Sequence, residues 1–351
     1  MMDLAVAAIR LLPPEPAHKV TVELAARFGR FLPPPRRDDP RLAVDVLGLH
    51  FPNPLGIAAG FDKNARAFRA MLKFGLGHAE CGTVTPRPQP GNPKPRMYRL
   101  PEDGAVINRM GFDNDGMAVV AERLKRRGSN KKKGGIVGIN IGANKDSADR
   151  IADYRTGFEL LSPLADYVTV NISSPNTPGL RGLQQRDELH RLLGMLVEAR
   201  GSRKIPLLLK IAPDLDEAAL DDITAEVLGA GIDGMIVTNT TIARPETLKS
   251  VHASQTGGLS GKPLMEPSTR ILGEVRKRVG NKIVLVGVGG VASGEDAYRK
   301  IRAGASLVQL YTALVYHGGG LVPRIKRDLL ACLARDGFER VSDAVGADIP
   351  A

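Results

Sequence analysis

From Gly56 onward the sequence repeats one rhythm: a short apolar, β-rich run, then a stretch with helical spacing. The predicted runs are Gly56–Phe61, Ala79–Val84, Ile136–Ile141, Tyr167–Ile172, Pro206–Ile211, Gly234–Thr238, Lys282–Val288 and Ser306–Tyr311. Runs that are apolar on both sides need cover on both faces, as strands of a parallel sheet have. Eight of them alternating with helices predict an α/β fold closed into a (β/α)8 or TIM barrel. An open, doubly wound sheet is the competing arrangement, and the pattern alone leaves it standing.

Residues 1–40 stand apart from this rhythm. Ala5, Val6, Ile9, Leu11 and Leu12 are apolar and lead to a Pro13-Pro14 break. Within His18–Phe31, Val20, Leu24 and Phe28 fall near helical spacing, with Arg27 and Arg30 beside them. Pro33-Pro34-Pro35 then stops the segment, because proline lacks the N–H and clashes with the preceding turn. The reading is two short amphipathic helices and a stiff linker, followed by a barrel domain over 41–351. The helices are either a flap packed on the barrel or an element that meets a membrane surface or admits an apolar ligand.

The net charge of +11 invites an anionic partner: nucleic acid, anionic lipid or an acidic small molecule. Aromatic residues are only 4% and Trp is absent, which argues against base stacking on nucleic acid. Two cysteines, Cys81 and Cys332, are too few for a disulfide framework or a structural zinc site, so a reducing compartment suits the chain. No apolar run approaches the ~20 residues of a membrane span. Met1 to Arg10 carries Asp3 and no long apolar core, so a signal peptide is not expected. Lys131-Lys132-Lys133 reads as a solvated loop, and Cys81 as a packing residue.

Polar residues gather where the runs end: Asp62-Lys63-Asn64, Thr83 and Thr85, Asn140 and Asn144, Asn171 with Ser173-Ser174, Lys210, Thr238-Asn239-Thr240, Gly289-Gly290 and Tyr311-Thr312. The carboxyl ends of barrel strands share one face, where active sites sit. Any one of these residues could be a helix N-cap, but their recurrence points to a site. Asn108, Asn140, Asn171, Asn176 and Asn239 each offer an acceptor and two donors, which suits a planar ligand such as a pyrimidine or a flavin. There are no paired histidines, no His-Glu-x-x-His and no acidic cluster at the run ends, so no metal is expected. Gly261, Gly289-Gly290 and Tyr311-Thr312 could hold a phosphate, or the glycines could simply make tight turns. Lys63 and Lys210 face the same mouth, where a lysine pairs with a carboxylate, meets negative charge on a ring, or is merely solvated. Ser173-Ser174-Pro175-Asn176 carries two hydroxyls without an obvious histidine partner. Either hydroxyl is a cap or a proton acceptor.

Several segments together resemble the dihydroorotate dehydrogenases. They are Ala58-Ala59-Gly60-Phe61-Asp62-Lys63-Asn64, the stretch from Gly82 to Asn92, Ile107-Asn108-Arg109-Met110-Gly111-Phe112, and above all the stretch from Asn171 to Arg181. Gly257-Gly258-Leu259-Ser260-Gly261 and the stretch from Val308 to Leu314 extend the likeness. It runs from about His18 to about Leu330 and is similar to the class 2, quinone-dependent branch. The marks of that branch are a helical N-terminal extension and serine, not cysteine, in the catalytic loop.

The resemblance implies oxidation of (S)-dihydroorotate to orotate in de novo pyrimidine (UMP) biosynthesis. A base removes the C5 proton while a hydride leaves C6 for FMN. It implies Ser174 as the base, with Thr177 and Phe112 along the proton path. Substrate would meet Lys63, Asn108, Arg109, Met110, Gly111, Phe112, Asn171, Asn176, Asn239 and Thr240. FMN would meet Ala59, Gly60, Phe61, Asp62, Lys63, Thr83, Asn140, Asn171, Lys210 and Thr238, with its phosphate at Gly261, Gly290, Tyr311 and Thr312. His18, Arg99 and Tyr311 would hold a quinone. The extension, with Arg10, Lys19, Arg27, Arg30, Arg36 and Arg37, would lie on an anionic lipid surface, peripheral on the cytoplasmic side of the cell membrane. The branch implies a monomer and no nucleic-acid partner. After Asn64 stands Ala65, where the family often has glycine.

Overall fold

The computed structural model describes residues 8–127 and 135–350. Lys131-Lys132-Lys133 and the first apolar positions, Ala5 and Val6, lie outside them. A hairpin, β1 (Val44–Val46) and β2 (Leu49–Phe51), precedes the barrel. The barrel consists of β3 (Leu55–Ile57), β4 (His78–Val84), β7 (Ile136–Ile141), β8 (Tyr167–Asn171), β9 (Leu207–Ile211), β10 (Gly234–Val237), β12 (Val284–Val288) and β13 (Leu307–Leu310). Around the ring the order is β10-β12-β13-β3-β4-β7-β8-β9, and the ring closes. All eight predicted runs are therefore strands of one barrel, and the open sheet is excluded. The strands pair in parallel, and the register sets Asn171 of β8 beside Lys210 of β9.

Helices cover the outside of the ring, and local chemistry starts several of them. Asp149, Asp216 and Ser293 each accept a hydrogen bond from the backbone N–H three residues on. Such N-caps are each worth about 1 kcal/mol. At the amino end of the ring, Phe51 packs edge-on against His78, with centroids 5.4 Å apart. The hairpin thus closes the end opposite the polar strand termini.

Two features were not visible in the run pattern. β5 (Met97–Leu100), β6 (Ala105–Asn108) and β11 (Gly258–Gly261) form a separate three-stranded antiparallel sheet. It has its own small core of Leu100, Ala105, Ile107 and Leu259. The barrel interior is also unusually polar: Glu80, Asn140, Thr169, Lys210 and Gln309 are all buried within it.

The extension forms a helical turn at residues 8–10 and then α1 (Pro14–Phe28). The sequence reading treated Pro13-Pro14 as a break and began the second segment at His18. Pro14 instead starts the helix, because its fixed φ and missing N–H suit the first helical position. This earlier start places Glu15 in the first turn, where it is buried. Its carboxylate meets the Arg96 guanidinium through Nε at 3.1 Å and Nη2 at 2.9 Å. Arg99 donates to the carbonyls of Arg10 at 2.6 Å and Leu12 at 2.8 Å. A Cβ on Gly29 would come within 2.6 Å of Ala70 Cβ, so glycine permits the close approach to the barrel helix Phe68–Lys73. Val20, Leu24, Phe28 and Phe31 face outward, with exposure rising from 39% to 68%.

Candidate active site

A cavity of about 620 Å³ opens at the carboxyl ends of the barrel strands and continues beneath the extension. The loops that follow the strands build its walls. Asn171 ends β8, Ser174 and Asn176 come from the segment after it, and Asn239 and Thr240 from the segment after β10. Lys210 is the last but one residue of β9. Asn108, Met110, Gly111 and Phe112 arrive from the strand and loop of the added sheet. Ala59, Gly60, Phe61, Lys63, Thr83, Thr238, Gly261, Gly290, Tyr311 and Thr312 complete the predicted set that lines the cavity, with His18 and Arg99 at its outer part.

Three predicted residues stand behind the wall. The Asp62 carboxylate accepts the backbone N–H groups of Arg66, Ala67 and Phe68 at 2.7–2.8 Å and so caps its own loop. Burial pushes this carboxyl up against those hydrogen bonds. Arg109 turns outward, donating to Tyr98 Oη at 2.6 Å, Gln255 Oε1 at 3.1 Å and the Thr256 carbonyl at 3.1 Å. It clasps the Asn108–Phe112 loop to the neighbouring segment. Asn140 lies one layer down: it accepts from Thr83 Oγ1 at 2.6 Å, and that oxygen accepts from Asn171 Nδ2 at 2.9 Å.

Ser174 is 5% exposed, and its Oγ accepts from the Asn176 N–H at 3.3 Å. Arg181 fixes the same loop: Nε donates to the Ser173 carbonyl at 3.0 Å, Nη2 to the Thr240 carbonyl at 3.2 Å, and Nη1 to Asp214 at 2.9 Å. Asn239 donates to Ser173 Oγ at 3.0 Å, which in turn donates to Asn171 Oδ1 at 3.0 Å. Ser173 is therefore held by the amide network, whereas Ser174 Oγ retains its proton-accepting and donating capacity toward the cavity. Thr177 Oγ1 is buried without a hydrogen-bond partner among the described residues. Phe112 holds φ at +55°, a left-handed conformation that costs a non-glycine residue about 1–3 kcal/mol. Asn114 Nδ2 donates to its carbonyl at 2.7 Å and helps to fix it there.

Two lysines charge the cavity differently. Lys63 Nζ lies 2.5 Å from Asp113 Oδ1, and Arg96 Nη2 lies 3.5 Å from Asp113 Oδ2. Burial pushes the Lys63 ammonium below its ordinary range, although Asp113 opposes this. Lys210 is 4% exposed and its ammonium has no hydrogen-bond partner among the described residues. Burial pushes it down as well, with only Glu80 pulling it back up.

Gly261 and Gly290 adopt φ of +96° and +81°. A Cβ on Gly290 would sit 2.4 Å from Met265 Cα, so glycine lets the loop after β12 close onto the helix Met265–Val279. The tight-turn reading of these glycines therefore holds. At the outer end, His18, Phe61 and Tyr311 pack edge to face, with His18 to Phe61 at 5.6 Å and Phe61 to Tyr311 at 5.7 Å. His18 Nδ1 is 3.2 Å from Tyr311 Oη. Burial, reinforced by nearby Lys63, lowers the His18 imidazole to about 3, so it is neutral at physiological pH. No group of three or more metal-ligating side chains occurs among the described residues.

Sequence reading missed Glu15, Arg96, Asp113 and Glu80. Glu80 did leave a signal, as the one charge inside the apolar run from Ala79 to Val84. Arg96 and Asp113 lie in loops, where spacing says nothing about contacts, and Glu15 lies in the first turn of a helix whose start was set too late.

The residues fit a flat, polar-edged group with an anionic tail. Lys210, whose ammonium makes no hydrogen bond among the described residues, lines the cavity together with Asn171 and Asn239. Gly261, Gly290 and Thr312 line the same cavity.

The family model for dihydroorotate dehydrogenase matches residues 41–333. A protein of Parvibaculum lavamentivorans named dihydroorotate dehydrogenase (quinone) is 56% identical over 99% of each chain. One of the same name from Bradyrhizobium diazoefficiens is 54% identical, covering 98% of this chain and 95% of the relative. Among solved structures, DHODH from Eimeria tenella in complex with ferulenol superposes with a TM-score of 0.91 at 42% identity, over 96% of each chain.

Proposed function

The chain belongs to the dihydroorotate dehydrogenase family of oxidoreductases, and from that membership we propose that it oxidises (S)-dihydroorotate to orotate with FMN as cofactor and a membrane quinone as final acceptor. The reaction would serve de novo UMP synthesis. The observation that carries this reading is continuity: Ser174, Lys63 and Lys210 line the same cavity as His18 and Arg99 of the outer end. Full-length relatives named for quinone dependence support it.

Bound FMN would supply the hydride acceptor and pass electrons onward. Lys210, Thr83, Asn171 and Thr238 would hold its ring, and Gly261, Gly290, Tyr311 and Thr312 its phosphate, with Ala59, Gly60, Phe61 and Lys63 along its edge. Asn140 and Asp62 would support this set from behind the wall. Lys63 presents a cation to the substrate carboxylate, while Asn108, Asn171, Asn176, Asn239 and Thr240 match the donors and acceptors of the pyrimidine edge. Met110, Gly111 and Phe112 close over the substrate, and Arg109 secures that loop. Pairing of this kind discriminates strongly, because an analogue lacking one partner leaves a buried group unsatisfied. Ser174 takes the C5 proton. A serine hydroxyl is a weak base, so it needs a relay; Thr177 Oγ1 in the same loop, without a hydrogen-bond partner among the described residues, supports one.

His18, Arg99 and Tyr311 would hold the quinone head. Residues 1–40 form the entrance element, and 41–351 the catalytic domain; the start of the family match at residue 41 supports this division. The outward row of Val20, Leu24, Phe28 and Phe31 supports docking on a lipid surface. Basic side chains of the extension add attraction to anionic lipid, and no helix among the described residues is long and apolar enough to cross a membrane. We read the chain as a monomer, peripheral on the cytoplasmic face.

Anaerobic mixing of the purified protein with dihydroorotate tests the proposal, read from the flavin band near ~450 nm. Bleaching followed by recovery with a ubiquinone analogue is the expected result. Recovery only with fumarate or NAD would reject the quinone. A yellow protein that never bleaches would reject the substrate.

A further inference from the structure

The barrel interior carries a carboxylate that no role above uses. Glu80 lies within β4 with 0% exposure. Its Oε1 accepts from Asn140 Nδ2 at 2.8 Å. Its Oε2 accepts from Gln309 Nε2 at 3.0 Å, Thr169 Oγ1 at 3.1 Å and Tyr167 Oη at 3.2 Å. All of these donors are neutral. A buried carboxylate held only by neutral donors is costly unless a cation lies within reach.

The cation is Lys210 on β9: the register sets it level with Asn171, one inward-facing position above Thr169, whose hydroxyl donates to Glu80, and the two make no direct ion pair among the described residues. Glu80 is the one charge that favours its protonated form, against the burial that disfavours it. The other titratable groups facing the pair are Tyr167 on β8 and Cys81 on β4. Burial pushes both well up, so both stay neutral. His78, at the amino end of β4, is lowered to about 3 by burial and is neutral too. β7 and β13 present the uncharged Asn140 and Gln309. Glu80 and Lys210 are therefore the two groups of this interior able to carry opposite charges, and Lys210 lines the cavity.

We propose that Glu80 is a positioning residue for the oxidation: from one layer below the cavity it serves as the counter-ion of Lys210 and fixes the Asn140–Thr83–Asn171 chain. The proposal rests on the FMN reading of the site. Without Glu80, Lys210 sheds its proton at lower pH, and the cofactor loses the cation that favours its electron-rich form. Asn140 also loses the acceptor that orients its amide.

The test is the midpoint potential of bound FMN in wild type, Glu80→Gln, Lys210→Met and the double variant. It is measured without substrate from neutral to alkaline pH. In Glu80→Gln the preference for reduced over oxidised FMN falls about tenfold at the alkaline end, or ~30 mV for a two-electron couple. In the Lys210→Met background Glu80→Gln lowers the potential no further. An unchanged potential in Glu80→Gln, or an equal shift in both backgrounds, overturns the proposal. Should Glu80→Gln fail to retain FMN, retention by the double variant supports the pairing, since the stranded ammonium is gone; failure of both makes the carboxylate purely structural and overturns it. A wild-type chain that binds no FMN overturns the cofactor reading first and this proposal with it.

Discussion

Replacing Glu15 by Gln should release the extension while leaving the barrel intact. Glu15 and Arg96 form a bidentate pair whose side chains are only 9% and 5% exposed. Breaking such a buried pair by removing one partner costs about 3–5 kcal/mol. Burial pushes the Glu15 carboxyl up, but the Arg96 guanidinium overrides this and holds it at about 2 instead of 4.5. That difference is worth on the order of 3 kcal/mol, in line with the pair cost. Arg96 would not be stranded. It keeps the carbonyls of Pro90 at 2.6 Å and Asn92 at 2.9 Å, with Asp113 at 3.5 Å. The expected loss is therefore smaller, about 2 kcal/mol, or roughly 30-fold in the local opening of α1.

Amide hydrogen exchange over residues 14–28 measures this directly. Exchange there should accelerate by roughly 30-fold in Glu15→Gln, with barrel strands unchanged. The pH dependence has a definite sign. Because the folded carboxyl is depressed, its contribution is complete above its ordinary value of 4.5 and is lost as the pH falls through about 2. In wild type, exchange over residues 14–28 should thus rise in that acid window, and in Glu15→Gln that rise should be absent. Unchanged exchange in the variant at neutral pH would refute the reasoning, because the helix would then be held by something other than this pair.

Ser174→Ala should retain FMN and lose about 10²–10⁴-fold of flavin reduction by dihydroorotate, the usual worth of a positioned proton acceptor; near-normal reduction at neutral pH removes Ser174 from that role. Deleting residues 1–40 should spare flavin reduction and impair quinone reduction, whereas equal loss of both would make the extension structural. His18 is lowered to about 3 from 6.5, so His18→Asn should leave the pH profile of quinone reduction between about pH 5 and 8 unchanged. A limb near the ordinary histidine value that disappears in the variant would contradict this. Because the folded imidazole is depressed, His18 should also cost stability as the pH falls from 6.5 toward 3, a loss visible in denaturant titrations.

The barrel was legible because its strands are continuous apolar runs, and such runs need no partner information to be seen. The strand ends were legible for the same reason: Lys63, Ser174, Lys210 and Asn239 follow runs whose direction fixes the face they occupy. Arg109 and Asp62 were harder. Both lie in segments that touch the cavity, yet the side chains turn away, and that direction is set by Tyr98 and by the N–H groups of residues 66–68. The added sheet escaped notice because β11 joins β6 across a large sequence separation, through short strands with no run of their own. Pro14 was misjudged as punctuation, although a proline at the first helical position is compatible with a start.

Glu80 shows why an apolar pattern can hide a functional interior. Barrel interiors are ordinarily filled with branched aliphatic side chains. Here one interior layer contains Glu80, Asn140, Thr169 and Gln309, with Lys210 above it. Replacing such a layer by well-packed hydrophobic residues is often neutral or stabilising, so stability alone does not explain it. Its hydrogen bonds are almost complete, since among the described residues Gln309 Oε1 is the only one of its oxygens buried without a partner. A network satisfied to that degree is rigid. Rigidity at this depth fixes where Thr83 and Asn171 point, and both line the cavity. The polar layer thus converts a strand register, which the sequence reveals, into side-chain directions at the site, which it does not.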